Sequence, residues 1–235
     1  MRIPRTFPAL LLLVLAACPG RDDAAEPADA PASPDTPAAA QTPAGGDEPA
    51  QPAWRSNPAE GVTIRPGGEG TDVETGPHTI LWQERAGNLE PPYTITATLQ
   101  KRAGRLHEGY GIVFGGTGLE GPEGGQRYSY FLVRGDGSLL VKLRDGTRTP
   151  VVRDWTRDPR VNRDAEEGGR PNRLEVRVGV DEVVFRVNGG EVARVPASEL
   201  SVRGRAGLRV AHELGLQVRE FGVVTGTPPG GEGAP

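Results

Sequence analysis

The segment "NRLEVRVGVDEVVFRVNGGEVARV", Asn172 to Val195, decides the fold because apolar and polar residues alternate along it. The apolar side chains recur at every second position in two runs, Leu174, Val176 and Val178, then Val183, Phe185 and Val187. A period of two places residues of one type on one face of a β-strand. Asn188-Gly189 suits the positive φ angles of a tight turn. The segment therefore predicts a three-stranded antiparallel meander.

The same alternation recurs along the rest of the chain from residue 77 onward. It appears in "HTILWQ" (78–83), "YTITATLQ" (93–100), "AGLRVA" (206–211) and "LQVREFGVV" (216–224), and "YSYFLVRGDGSLLVKLRDG" (128–146) is typical of a hairpin around Asp136-Gly137. No convincing run of ten or more residues has the 3.6-residue period of an amphipathic helix. Many short strands joined by turns predict an all-β domain, a two-sheet antiparallel β-sandwich of the jelly-roll type.

Several motifs in this region resemble one known family. In order, they are Asn172 to Val176 for "N-x-L-x-V", Val187 to Gly189 for "V-N-G", Gly204 to Leu208 for "G-x-x-G-L", and a terminal motif from Val218 to Phe221. Together with "GYGIVFGG" and "YSYFLVRGDGSL", they resemble the concanavalin A-like, or laminin-G-like, jelly roll. Within this family, the motifs resemble in particular the branch labelled 3-keto-disaccharide hydrolase-like or family-16 glycoside-hydrolase-like. The resemblance covers about residues 77–224 and implies a fold more strongly than an activity.

The amino terminus has the features of a secretory signal. Arg2 and Arg5 precede an apolar stretch of 11 residues, Phe7 to Ala17, which is too short to cross a bilayer as a helix. Leu15 to Cys18 resembles the bacterial lipobox, in which the peptidase cuts before a cysteine that then carries a diacylglycerol. Cys18 is the single cysteine of the chain, so an intramolecular disulfide is excluded. We therefore expect lipidation at Cys18 and a lipid-anchored, extracytoplasmic protein, with the outer membrane or periplasmic face favoured.

Composition divides the chain into five parts. They are a lipoprotein signal peptide (1–17), a Pro/Ala-rich disordered tether (18–53), an irregular lead-in (54–76), the β-sandwich domain (77–225) and a disordered tail (226–235). The stretch 19–53 carries one basic and seven acidic residues, whereas residues 54–235 carry 24 of each. A neutral domain lacks the basic excess expected of a nucleic-acid-binding protein. We therefore predict no nucleic-acid partner.

The hairpin strands predict a candidate ligand-binding surface. If Phe131 faces the core, alternation directs its neighbours outward together with residues of the paired strand and of the next one: Tyr128, Tyr130, Arg134, Lys142, Arg144 and Trp155. Aromatic rings beside cations with several donors suit a sugar, whose C–H faces stack and whose hydroxyls accept hydrogen bonds. The alternative is that these aromatic residues form a second packed face of the sandwich.

A second candidate cluster involves the three histidines. His78, His107 and His212 all lie at predicted strand ends, and two are followed by a glutamate, which gives a possible rim cluster of His78, His107, Glu108, His212 and Glu213. Neither His-Glu pair is followed by a second histidine one helical turn later, so a zinc-peptidase motif is excluded. Structural hydrogen bonding by the imidazoles is the alternative interpretation. We predict neither a metal nor another cofactor, although a bound divalent metal stays open.

The expected function is a lectin-like module, non-catalytic, that binds a carbohydrate or cell-wall polymer. Catalytic jelly-roll glucanases carry their two carboxylates in an E-x-D-x-x-E strand motif, and no such string occurs here. Catalytic residues are therefore not assigned. Two alternatives stay open: a hydrolase acting on a glycoside or 3-keto-sugar, with Glu108, Glu213 and the histidines as acid–base groups, and a structural envelope protein that binds another protein.

Overall fold

The computed structural model describes residues 53–84, 87–165 and 168–226. In chain order its strands are β1 (Trp54–Asn57), β2 (Val62–Gly67), β3 (Gly70–Thr75), β4 (Thr79–Gln83), β5 (Tyr93–Ala103), β6 (Gly109–Thr117), β7 (Arg127–Arg134), β8 (Ser138–Asp145), β9 (Val151–Arg157), β10 (Asp164–Ala165), β11 (Gly168–Gly169), β12 (Asn172–Val178), β13 (Glu182–Val187), β14 (Gly190–Pro196), β15 (Arg205–Val210) and β16 (Leu214–Thr225). Two short 3-10 turns, Glu123–Gly125 and Ala197–Glu199, complete the described elements. Within these ranges no helix has the length and apolarity needed to cross a membrane.

The strands form two antiparallel sheets of seven strands each, which confirms the predicted β-sandwich. The first sheet has the order β1-β4-β15-β6-β7-β8-β9, and the second has the order β14-β13-β12-β5-β16-β3-β2. A two-stranded ribbon of β10 and β11 lies outside both sheets. Consecutive strands β12, β13 and β14 pair in sequence, as the alternation of residues 172–195 predicts.

The main core lies between the two sheets. Val183, Phe185 and Val187 of β13 are fully buried there, and the Phe185 ring packs 5.1 Å from that of Phe131 and 6.0 Å from that of Phe114, centroid to centroid. Burial at every second position of β12 and β13 follows from the alternation. A second, smaller hydrophobic cluster lies on the first sheet, away from this core, and includes Tyr128, Tyr130 and Trp82.

The two predicted turns differ in their backbone geometry. Asn188 and Gly189 both have positive φ, 49° and 88°, as expected for the turn between β13 and β14. In the turn between β7 and β8, Gly137 alone of the Asp136-Gly137 pair has positive φ, at 85°. The Asp136 carboxylate accepts hydrogen bonds from the Ser138 N–H and the Arg134 guanidinium, and so holds this turn with its side chain.

The prediction of an irregular lead-in at residues 54–76 is wrong, because this segment forms three strands. β1 pairs with β4 at the edge of the first sheet, and the β2–β3 hairpin joins the edge of the second sheet through β16. Edge strands are held by backbone hydrogen bonds along one side, and Pro66 in β2 is compatible with such a position. Short polar edge strands lack the long apolar alternation that identifies central strands.

The terminal motif from Val218 to Phe221 contains one residue more than a strict alternation allows. Between β16 and β5 the register shifts between Val218 and Glu220, so Arg219 occupies a β-bulge. The strand continues past the bulge to Thr225. The expected signal peptide, Cys18 and the tether up to residue 52 lie outside the described residues, as do residues 227–235 of the expected tail.

One ion pair lies inside the domain rather than on its surface. The Lys101 Nζ is 2.5 Å from Asp164 Oδ2, and the two side chains are 4% and 9% exposed. Lys101 also donates to the Arg105 carbonyl at 2.8 Å, whereas Asp164 Oδ1 has no hydrogen-bond partner among the described residues. This pair joins β5 to the β10–β11 ribbon.

A buried amide connects four polar groups between the sheets. The Asn172 side chain is fully buried; its Oδ1 accepts from the Asn162 N–H (2.8 Å) and from Asn188 Nδ2 (3.1 Å). Its Nδ2 donates to the Tyr110 hydroxyl (3.2 Å) and to the Asn162 carbonyl (3.3 Å). Burial raises the pKa of Tyr110 to about 12, so the hydroxyl stays neutral.

Candidate functional site

The face of the first sheet that points away from the core holds the candidate site, and we call it the outer face. Cross-strand pairing places Tyr128 beside Arg144 and Tyr130 beside Lys142 on this face. The sheet therefore brings the four residues together, as alternation on β7 and β8 predicts. Trp155 packs against the same cluster from β9.

The expected exposure of the tyrosines is wrong. Tyr128 is 0% and Tyr130 5% exposed, because Leu119, Leu132 and neighbouring cations cover them. Burial also raises the pKa of Tyr130. The rings thus form the floor of the outer face, and stacking of a sugar directly on Tyr128 is excluded in this conformation. The layer above the rings consists of guanidinium and ammonium groups.

Arg209 of β15 is the central cation of the outer face. Its Nη1 donates to the Tyr128 hydroxyl at 2.7 Å, and its guanidinium carbon lies 5.1 Å from the centroid of the Tyr130 ring. Both contacts restrict the side chain, the second through a cation–π interaction. No carboxylate of the described residues lies within 4 Å of Arg209. Its remaining N–H donors are therefore available to a ligand.

Three further cations flank Arg209. The Arg144 guanidinium lies 6.0 Å from the Tyr128 ring; its Nη1 contacts Glu123 at 3.4 Å, and its buried Nε has no acceptor among the described residues. Arg134 stacks on Trp155 at 4.3 Å and pairs with Asp136. The half-buried Lys142 has no ion-pair partner in the described part of the chain.

The loop between β6 and β7, residues 118–126, covers one end of the outer face. Leu119 packs in the cluster of Tyr128, and the loop carbonyls of Leu119 and Gly121 accept hydrogen bonds from the side-chain amides of Asn57 and Gln126. The Asn57 bonds fix the loop to β1, and the Gln126 bonds hold the two ends of the loop together. The result is a preformed boundary for two clefts.

The first cleft has a volume of about 670 Å³ and lies along the edge formed by β1 and β4. Its lining includes Trp82 and two ion pairs, Arg55–Glu84 at 2.7 Å and Arg205–Glu120. The second cleft, of about 450 Å³, lies on the other side of Asn57. Arg209, His78, Gln126 and Glu123 line it.

The corresponding face of the second sheet has a different character. Its arginines pair with glutamates, namely Arg65 with Glu74, Arg173 with Glu220, Arg177 and Arg186 with Glu175, Arg194 with Glu182 and Glu191, and Arg219 with Glu69. Arg102 donates to the Gln217 amide oxygen. A face with balanced charges is typical of a solvated surface. Because Arg209 and Lys142 have no such partner among the described residues, the outer face of the first sheet is the candidate binding surface.

The rim cluster forms in part. His212 Nδ1 lies 3.2 Å from His78 Nε2, and His212 Nε2 lies 3.2 Å from Glu108 Oε1. These residues meet because the start of β4, the end of β15 and the start of β6 lie side by side at the same end of the first sheet. Burial, followed by the charges of Arg209 and His212, lowers the pKa of His78.

The other two residues of the expected rim cluster lie elsewhere. His107 is 72% exposed, with its Nδ1 3.9 Å from Asp136, and Glu213 contacts Arg105 at 3.7 Å. Across residues 53–84, 87–165 and 168–226, no three acidic, histidine or cysteine side chains are placed to hold a metal ion. The His78–His212–Glu108 set is a linear chain of contacts, not a convergent one.

Sequence reasoning missed four residues of the site. Arg209 and Trp82 belong to strands that were predicted. Their neighbours on the outer face depend on the pairing of β15 with β4 and β6 and of β4 with β1. Asn57 lies in the segment expected to be irregular, and Gln126 lies in a loop. The alternation of "AGLRVA" does place Arg209 opposite Leu208 and Val210. This alternation is the sequence feature from which Arg209 could have been assigned to the outer face.

Comparisons with known proteins support the fold. No family model matches the sequence, and no curated protein matches it. The structure is similar to the carbohydrate binding module CBM66 from Bacillus subtilis, with a TM-score of 0.59, 11% identity and coverage of 75% of this chain and 98% of that one. It is also similar to a protein of unknown function with a galectin-like fold from Bacillus subtilis, with a TM-score of 0.54, 13% identity and coverage of 72% of this chain and 88% of that one.

The exoplasmic/lumenal domain of VIP36, in a Ca²⁺- and mannose-bound form, gives a TM-score of 0.52 at 9% identity, covering 76% of this chain and 85% of that one. At such identities the likeness shows the fold alone. The chain therefore has a concanavalin A-like jelly-roll fold, as its motifs indicated.

Proposed function

We propose that the protein is a lectin-like module, non-catalytic, that binds carbohydrate on the outer face of the first sheet. The observation that carries the proposal is the layer of arginine and lysine donors on a buried aromatic floor. Sugar hydroxyls accept hydrogen bonds from such donors, and a preformed polar cleft beside them limits the ligand's orientation. The similarity to a carbohydrate binding module and to a mannose-bound domain supports this assignment.

The rigidity of the site also supports binding. Arg209 is held by Tyr128 and Tyr130, and the loop 118–126 is held by Asn57 and Gln126. Side chains that are already ordered lose less conformational entropy when a ligand binds. A sugar, whose individual hydrogen bonds are weak in water, benefits from such a site.

We expect Trp155→Ala to weaken glycan binding by roughly tenfold, because the change removes a half-buried aromatic ring from the outer face and frees Arg134. The measurement is binding of the full chain in detergent to a glycan array and to isolated cell-wall polysaccharide, followed by titration of each hit. Arg173→Ala, on the opposite face of the sandwich, is the matched surface control and should bind like the wild type.

Absence of binding to every polysaccharide tested would contradict the lectin proposal and favour a protein-binding envelope component. Loss of binding in Arg173→Ala equal to that in Trp155→Ala would place the site elsewhere. Melting temperatures of both variants establish that each is folded.

We also propose that the module is anchored to the membrane through a lipid on Cys18, outside the cytoplasm. The support is the sequence from Arg2 to Cys18, with its basic start, apolar stretch of 11 residues and small residues before the cysteine. Labelled palmitate should enter the wild-type chain and be absent from Cys18→Ala. Equal labelling of both chains would refute the anchor.

A hydrolase acting on a glycoside or 3-keto-sugar is the second candidate, and one observation favours it. Two carboxylates, Glu84 and Glu120, line the first cleft together with Trp82. Both carboxylates contact arginines that line the same cleft, Glu84 with Arg55 and Glu120 with Arg205. Sugar release from the bound polysaccharide, lost in Glu120→Gln, would support hydrolysis.

A further inference from the structure

Two cations of the outer face, Arg209 and Lys142, have no carboxylate partner among the described residues. Neither has a carboxylate within 4 Å, whereas Arg134, Arg144 and Arg205 on the same face do. Most arginines of the second sheet are likewise paired with glutamates. Since residues 54–235 carry equal numbers of basic and acidic side chains, this difference reflects placement and not composition. Unpaired, partly buried cations are held at a cost in solvation.

In the second cleft, the positive charge of Arg209 is accessible to a ligand. Arg209 lines the cleft, and Tyr128 and Tyr130 hold its guanidinium in place. Among the described residues, Glu123 is the one carboxylate that lines the cleft, and its Oε2 lies 3.4 Å from Arg144 Nη1. A fixed guanidinium with free N–H donors matches the geometry of a carboxylate, which can accept two parallel hydrogen bonds.

We propose that the ligand is an acidic sugar, a uronic acid residue within a polysaccharide, whose carboxylate is bound by Arg209 in the second cleft. This inference rests on the proposed lectin function and specifies its ligand class. Lys142 and Arg144 extend the positive surface along β8, so a chain with repeated carboxylates gains further contacts there. The neutral hydroxyls of the sugar meet Gln126 and His78.

The test uses matched pairs of oligosaccharides of galacturonate, glucuronate and mannuronate, each beside its neutral methyl ester. We expect the full chain to bind at least one acidic member about tenfold or more tightly than its ester, because a charge-assisted hydrogen bond is lost on esterification. Raising the salt concentration should reduce this preference. Arg209→Gln should remove it, with a loss of about tenfold to hundredfold for the acidic member and a much smaller change for the ester.

Arg173→Gln is the control, since it removes the same charge from the opposite face and should retain the preference. If Arg209→Gln lowers the melting temperature, Glu123→Gln tests the same cleft with the opposite sign: it removes an exposed carboxylate from the lining and should strengthen binding of the acidic member. Equal affinity for acid and ester in all three pairs would overturn the acidic-sugar proposal and leave the lectin function intact. Failure of both members of every pair, with no other glycan bound, would overturn both.

His78 provides a readout at the site itself. The groups that affect it are Arg209, His212, Glu108 and Glu123. A carboxylate bound by Arg209 adds negative charge to the cleft and should raise the pKa of His78, so affinity should increase as the pH falls through that pKa. Uronates stay ionised over this range, with a carboxyl pKa of about 3.5. An NMR titration in which the acidic member leaves the pKa of His78 unchanged would contradict the proposal.

Discussion

Lys101→Met is expected to destabilise the domain by roughly 3–5 kcal/mol, as loss of one partner of a buried ion pair does. The substitution leaves the Asp164 carboxylate 9% exposed and without its partner at 2.5 Å. Asp164 Oδ1 already lacks a hydrogen-bond partner among the described residues, so the carboxylate has few compensating donors. Chemical denaturation of wild type and variant measures the difference in free energy of unfolding.

Two matched variants isolate the effect of the buried charge. Arg173→Met breaks the exposed Arg173–Glu220 pair and should cost about 0–1 kcal/mol. Adding Asp164→Leu to Lys101→Met removes the unpaired carboxylate and should restore much of the lost stability. If Lys101→Met costs no more than Arg173→Met, the ion pair is solvated and the buried arrangement is incorrect.

Asn172→Ala is expected to cost roughly 3–4 kcal/mol, because four hydrogen bonds of a fully buried amide are lost and the buried Tyr110 hydroxyl loses its partner. A buried polar group left unsatisfied costs about 1–3 kcal/mol, and Asn172 serves Tyr110, Asn162 and Asn188. The free energy of unfolding again measures the loss. Asn88→Ala, at an exposed position with no side-chain hydrogen bond among those described, is the control and should stay within about 0.5 kcal/mol of wild type.

A double-mutant cycle separates the tyrosine contact from the rest of the network. Tyr110→Phe removes the hydroxyl that accepts from Asn172. Its cost should be smaller in the Asn172→Ala background than in the wild type, because the hydrogen bond is already absent there. Equal costs in both backgrounds would mean that the two residues act independently.

The central strands could be predicted because burial at every second position leaves a direct record in the sequence. Phe185 and its neighbours on β13 are an example. Asn172 illustrates a limit of this reasoning: the motif identified it, but its role as a buried hydrogen-bonding centre depends on Asn162 and Asn188, which lie 10 and 16 residues away. Sequence periodicity carries no information on such contacts.

The sequence predicted which face of the sheet the site residues point to, but not how deeply they are buried. Alternation correctly directs Tyr128 and Tyr130 away from the main core, yet it says nothing of the loop 118–126 and of Arg209, which cover them. The strands β1, β2 and β3 were missed because backbone pairing at the sheet edges, not side-chain pattern, holds them. The partners of His78 became evident once the sheet order placed the ends of β4, β15 and β6 together.

The edge position of β1 has a mechanical consequence. A pull on the chain from its amino-terminal side reaches the domain first at Trp54, on a strand held by four residue pairs to β4. Because β1 is an edge strand paired on one side only, it should open before the central strands yield. Arg55 and Asn57 would leave with it, and with them one wall of both clefts. In a molecule anchored through Cys18 and bound to a glycan, as proposed above, sustained tension would therefore release the ligand while the sandwich itself stayed folded.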